Sequence, residues 1–181
     1  LGFVFLSRLR NSSIDQIFGI LMVFTACVMA FAHGSNDTAN AVGPVAAVFS
    51  TVMNEGVSTE AAVSVWLLLG GGIGIVLGLA MWGYRVIQTI GKEITKLTPT
   101  SGFAAELAAA TTVVIASGNA MPISTTHTLV GAVFGVGLAM SIKDLDFKVV
   151  GKIVASWLTT VPAGAILSMI FLTLFRYLFQ I

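Results

Sequence analysis

The chain has 181 residues, of which 56% are apolar and only 9% charged, with nine Lys and Arg against eight Asp and Glu. A soluble domain carries about 25% charged residues, and a mean hydropathy of +0.97 suits a bilayer better than a water-facing surface. These figures exclude a soluble enzyme, a disordered tail and a nucleic-acid binder, and the single Cys27 excludes a disulfide scaffold or a cysteine metal site. The composition predicts an all-α, multi-spanning membrane protein.

Residues 14–32 are apolar and long enough to cross ~30 Å of hydrocarbon. They run into a polar stretch, His33-Gly34-Ser35-Asn36-Asp37-Thr38-Ala39-Asn40, followed by a second apolar piece too short to span alone. Residues 14–53 therefore predict a broken helix, or a span plus an embedded half-helix. Residues 61–82 read as an uninterrupted span. Its Gly70-Gly71-Gly72, Gly74 and Gly78 serve close helix packing, since no Lys follows to make a phosphate loop. Residues 85–100 are polar and read as interfacial. Residues 102–141 hold two half-spans around a second polar stretch, Gly118-Asn119-Ala120-Met121-Pro122-Ile123-Ser124-Thr125-Thr126-His127. Residues 153–179 predict a last long span, with Arg176 and Tyr177 near its end.

Charge sets the expected sidedness. Arg8 and Arg10 precede the first span, and loops 85–100 and 141–152 are basic, whereas the loop holding Glu55 and Glu60 has no Lys or Arg. The positive-inside rule places the N-terminus and both basic loops in the cytoplasm and the acidic loop outside. Both ends of 102–141 then lie on one side. Arms of about 15 residues, ~22 Å each, fall short of a bilayer, so the segment predicts a re-entrant hairpin with residues 122–126 at its tip. The count comes to an odd number of net crossings. A tandem copy of such a unit would be inverted, as in many secondary transporters.

A carboxylate near the midplane costs at least ~2.5–3.5 kcal/mol and demands a partner. Asp37 has no Lys or Arg in either polar stretch, so the expected partner is a bound cation. Sodium suits hard oxygen ligands, and the candidate set is Asn36, Asp37, Asn40, Glu106 and Ser117. The alternative is that these groups cap helix ends and bond one another. After Pro122, Ser124-Thr125-Thr126 stands where a new helix begins. Free N–H groups, hydroxyls and the helix dipole there form a nest for a tetrahedral oxyanion, and Asn40 completes the candidate anion set. The alternative is that Ser124 is only an N-cap. His33 and His127 are expected as hydrogen-bonded packing residues rather than proton relays.

The site thus predicts a cation-coupled oxyanion transporter. Phosphate brings about −1.5 to −2 charges near pH 7, which two carboxylates without an Arg can meet only through co-bound cations. An intramembrane hydrolase using Ser124 and His127 is the first competing reading, although three-residue spacing does not by itself build a catalytic pair. A channel or a structural membrane subunit is the second.

Gly34-Ser35-Asn36-Asp37-Thr38-Ala39-Asn40-Ala41 resembles the Gly-Ala-Asn-Asp-Val-Ala-Asn signature of the inorganic phosphate transporter (PiT) family. Pro122-Ile123-Ser124-Thr125-Thr126-His127 is similar to that family's Pro-Val-Ser-Thr-Thr-His segment, and Gly102-Phe103, Glu106 and residues 113–117 also fit. Ser35, Thr38 and Ala120-Met121 depart mildly from the pattern. The resemblance implies symport of inorganic phosphate with sodium or protons, sulfate being carried by some relatives, and no other cofactor. It also implies a cell-membrane protein with two inverted units per transporter, assembled as a homodimer. Because the chain starts at Leu1 without a signal-like segment, it is expected to be the C-terminal unit of a longer transporter, its partner half being elsewhere.

Overall fold

The computed structural model describes residues 13–54 and 63–179, so Arg8, Arg10, Glu55, Glu60 and the expected start of the second span lie outside the described residues. The described residues form helices joined by short turns, and four of these helices are long and apolar enough to cross a membrane. The chain divides into two compact units, Leu1–Leu145 and Asp146–Ile181.

In the first unit, α1 spans Ile14–Asn54, 41 residues. Ser13 and Gln16 start it with a reciprocal capping box: the Gln16 side chain accepts from the Ser13 amide at 3.1 Å and Ser13 Oγ from the Gln16 amide at 3.4 Å. The break expected at 33–40 is absent, and α1 runs through it as one helix. His33, Asn36, Asp37 and Asn40 stand at i, i+3, i+4 and i+7, which is one face of a helix. Their side chains bond to one another and to the facing hairpin, so the polar run is accommodated without freeing backbone groups. Pro44 lies inside α1 and removes one amide from the ladder, yet the helix continues for ten residues beyond it.

Helix α2 covers Val65–Glu93 and starts at Ser64, whose Oγ accepts from the Trp66 amide at 3.3 Å. It carries π-helical turns at Leu79–Gly83 and Thr89–Glu93. Residues 85–93 of the segment expected to be interfacial are the continuation of this helix. Arg85 and Lys92 are tolerated because long basic stems lie along apolar surface while their heads reach out. The Arg85 guanidinium sits 5.8 Å from the Tyr84 ring and its Nε donates to the Tyr84 hydroxyl at 3.0 Å. Where α2 crosses α1, a Cβ on Gly71 would lie 2.7 Å from Val42 Cγ2 and 3.3 Å from Thr38 Cγ2. Only glycine permits that approach.

The hairpin consists of α3, Pro99–Gly118, and α4, Thr125–Met140. Thr98 caps α3 through a second box: Ser101 Oγ accepts from the Thr98 amide at 2.8 Å, Thr98 Oγ1 accepts from the Ser101 amide at 3.3 Å, and Pro99 fills the first helical position. That start adds a turn to the arm expected from residue 102 onwards. With 20 residues, or ~30 Å, α3 has the length of a bilayer core, whereas α4 with 16 residues does not. A short 3-10 turn, Ile142–Asp144, follows.

The core lies between α1 and the hairpin. Met29 and Ala32 of α1 pack on Ala109, Ala110 and Val113 of α3, with Ile123, Leu129 and Ala132 against them. Alanines on both sides bring the backbones close, and close backbone approach is how helices associate where lipid supplies no hydrophobic drive. Phe18 meets Phe103 edge-on with centroids 5.5 Å apart. The second unit is one helix, α5, Phe147–Phe179, which begins six residues ahead of the expected span. Asp146 caps it, its Oδ1 accepting from the Lys148 and Val149 amides at 2.8 and 3.1 Å.

Two substitutions test this packing. Gly71→Ala should cost roughly 1–3 kcal/mol by overpacking, whereas Gly70→Ala, where nothing lies within 4 Å of the added Cβ, should leave stability unchanged or slightly raised. Denaturant unfolding in mild detergent reads both. Ala120 has φ 54° in the hairpin turn, a left-handed conformation costing a non-glycine residue about 1–2 kcal/mol. Ala120→Gly should therefore stabilise by up to about 1 kcal/mol after the entropy that glycine adds to the unfolded chain; an unfolding midpoint that stays put or falls would contradict it.

Candidate functional site

The polar face of α1 meets the hairpin where α3 ends and α4 begins. Asn36, buried on this face, makes contact with both arms. Its Nδ2 donates to the Ile123 carbonyl at 2.8 Å and to Asp37 Oδ1 at 3.1 Å, while its Oδ1 accepts from Ser117 Oγ at 3.1 Å. One turn on, Asn40 Nδ2 donates to the same Ile123 carbonyl at 3.1 Å. A carbonyl in the irregular backbone before α4 thus finds two amide donors.

Asp37 is the centre of the arrangement. Thr125 Oγ1 donates to its Oδ1 and Oδ2 at 3.0 and 3.1 Å, and His33 Nε2 lies 2.8 Å from Oδ2. The carboxylate therefore has three side-chain neighbours, none of them Lys or Arg. His33 is the partner that sequence reading passed over. Its i, i+4 relation to Asp37 was available once the stretch was read as continuous helix. The expectation of a hydrogen-bonded His33 agrees with this geometry.

The three hydroxyls at the start of α4 have separate jobs. Ser124 is the N-cap, its Oγ accepting from the His127 amide at 3.3 Å and touching His127 Nδ1. Thr125 is buried and engaged with Asp37, and Thr126 faces a cavity. The first intrahelical bond is made by Thr128, whose amide donates to the Ser124 carbonyl at 3.1 Å, so the Thr125 and Thr126 amides precede the ladder and lie at the positive end of the α4 dipole.

Glu106 stands apart from this cluster. It accepts from Thr25 Oγ1 of α1 at 2.8 Å, and Thr25 is nearly fully buried. Thr25 is a second residue that sequence reading missed, because a lone threonine in an apolar run carries no signal. Glu106, His33, Thr125 and Thr126 are the polar members of the lining of a half-open cavity of about 510 Å³ walled by α1, α2, α3 and α4. The candidate cation set therefore falls into two places: Asn36, Asp37, Asn40 and Ser117 gather at the hairpin tip, and Glu106 is bonded elsewhere.

A model of the phosphate transporter family matches residues 6–168. The chain belongs to the phosphate transporter family. It is 54% identical over 161 residues to the Inorganic phosphate transporter 2-1, chloroplastic, of Arabidopsis thaliana, covering 88% of this chain and 27% of that protein. It is 48% identical over 164 residues to the Sodium-dependent phosphate transporter 1-B of Xenopus laevis, covering 91% of this chain and 24% of that protein. Among solved structures, "The sodium-dependent phosphate transporter" matches with a TM-score of 0.76 at 41% identity, covering 86% of this chain and 40% of the other. The chain thus spans between about a quarter and two fifths of the length of these relatives. These relatives are named as phosphate transporters and not as enzymes, and the Ser124–His127 contact belongs to the helix cap.

Asn36→Ala removes donors to Ile123 and Asp37 and an acceptor for Ser117 together. It should lower stability by roughly 1–3 kcal/mol, since three hydrogen bonds of a buried amide are lost at once. Asn40→Ala leaves the Ile123 carbonyl its Asn36 donor and should cost less. Comparison of the two unfolding curves in detergent checks the order.

Proposed function

We propose that this chain is one unit of a transporter that moves inorganic phosphate together with sodium, and that the hairpin tip against α1 is where both are held. The observation that carries the reading is the Asp37 carboxylate, held within a membrane helix by Thr125, Asn36 and His33 and without a Lys or Arg partner. Sodium is placed on Asp37 with oxygens of Asn36, Asn40 and Ser117. Rotation of the Thr125 hydroxyl would turn a lone pair from its present donation towards the cation. Glu106 is a separate cation position beside Thr25. Phosphate is placed on the Thr125 and Thr126 amides with the hydroxyls of Ser124, Thr125 and Thr126 and the Asn40 amide. These neutral donors recognise an oxyanion but do not balance its charge, and Asp37 opposes it. Sodium is the compensating charge, and coupling follows because the anion is held weakly until the cation arrives.

In the same reading the hairpin is re-entrant, an inverted second unit completes the pathway, two copies form a homodimer, and the basic segments 85–100 and 141–152 face the cytoplasm of the cell. The 16 residues of α4 and the basic residues that flank the hairpin at both ends support the re-entrant form. A sulfate permease is the alternative within the same chemistry, since tetrahedral oxyanions present the same geometry to these donors.

The test is labelled-phosphate uptake into proteoliposomes holding the full transporter, with sodium and proton gradients imposed separately and sulfate as competitor. Asp37→Asn should abolish sodium-driven uptake while membrane insertion is kept; uptake with unchanged sodium dependence would overturn the assignment. Alanine at Ser124, Thr125 or Thr126 singly should weaken phosphate binding by roughly 1–3 kcal/mol for each hydroxyl that bonds the anion. Three variants that bind like the parent would place the anion elsewhere.

A further inference from the structure

The cavity between α1, α2 and the hairpin is larger than a packing defect, and its lining is mostly apolar. At about 510 Å³ it falls within the ~300–1,000 Å³ of small-ligand sites. Its walls are mostly apolar, with Met22 and Met29 of α1, Leu79 and Ile87 of α2, and Leu129 and Val133 of α4 prominent among them. Of the polar side chains it reaches, His33 and Thr125 are engaged with Asp37 and Glu106 with Thr25, while Thr126 faces the space. The space is mostly apolar and half-open, and within a bilayer the substance at hand to fill it is a hydrocarbon chain.

Charge at one end specifies the kind of lipid. Gly91 and Leu97 line the cavity, and their immediate neighbours in sequence are the exposed Lys92 and Lys96. Glu93 is the one acid between them, which leaves this end of α2 and the turn after it positive. The two π turns of α2, Leu79–Gly83 and Thr89–Glu93, supply Leu79, Gly83, Ile90 and Gly91 to the wall, so the irregular parts of this helix are the parts that shape the cavity, a frequent use of π turns.

We propose that this cavity is a binding site for an anionic phospholipid, with one acyl chain between α1, α2 and α4 and the headgroup phosphate at Lys92 and Lys96. A chain so seated passes beside Glu106 and the Thr125–Asp37 contact, so its occupancy would influence the polar site from behind. The site does not depend on which solute is carried.

The experiment is photolabelling of the full transporter in phosphatidylcholine vesicles doped with either phosphatidylglycerol or phosphatidylcholine bearing the same diazirine on its acyl chain, with labelled peptides mapped by mass spectrometry. Phosphatidylglycerol should label Met22, Met29 and Leu129 several-fold more than phosphatidylcholine. Lys92→Gln with Lys96→Gln should remove that preference, each lysine near an anionic surface contributing roughly fivefold. Ala26→Phe, which fills the cavity from α1, should suppress labelling of these residues while total labelling of the protein persists, and that persistence shows the variant is still folded and inserted. Equal labelling by the two lipids in the parent would overturn the headgroup assignment. Cavity residues left unlabelled in a parent labelled elsewhere would show that another part of the transporter fills the space, and would overturn the site.

Discussion

The docking of α1 on the hairpin through Asn36 is the constraint on which the rest of this unit depends. The turn between α3 and α4 leaves backbone groups outside any helical ladder, and α1 presents donors to one of them. Asn36 and Asn40 converge on the Ile123 carbonyl, and Ser117 closes the contact from the other arm. The alanine-rich packing of Met29, Ala32, Ala109, Ala110 and Val113 brings the helices near enough for those bonds to form. Packing and polarity are therefore one device. The small side chains set the distance and the amides use it.

The same contact positions the chemistry. Asn36 is both the clamp and the neighbour of Asp37 in sequence and in space, so anything that loosens the hairpin also disturbs the carboxylate. Thr125 is likewise the first residue of α4 and the donor to Asp37. A charge brought to this place would be felt by the backbone at the start of α4 as well as by the side chains. Glu106 occupies a different position, answered by Thr25 through the body of the bundle.

Much of this was legible in the chain. Composition and apolar length gave a helical membrane protein, and the two polar stretches marked the parts of α1 and the hairpin that come together. The break in α1 was the chief misreading. A run of polar residues looks like an interruption when read linearly, but His33, Asn36, Asp37 and Asn40 recur with helical spacing and leave Ser35, Thr38 and Ala39 on the other faces. Periodicity, and not polarity, was the deciding quantity. The extension of α2 past Tyr84 was hidden because its basic residues resemble a loop, while Val86, Ile87 and Ile90 continue the apolar wall. Thr98 and Ser101 could have marked the earlier start of α3, because the capping pair is written in the sequence. The Thr25–Glu106 bond had no such mark, since its two members are 81 residues apart.

The π turns of α2 have a consequence for how this sequence tolerates change in length. A residue lost from an ordinary helix rotates everything beyond it by about 100° and usually ruins the faces on either side. A π turn already holds one residue in excess. Deleting a residue within Leu79–Gly83 could restore regular α geometry at that turn and leave the helix unbroken. Residues downstream would keep their facing, and Val86 and Ile87 would stay on the cavity wall they now form, because the turn loses only its excess residue. The same deletion in a regular stretch of α2 would turn the inner face outward. The π turns are thus the places where this helix can change length without changing which residues face inward.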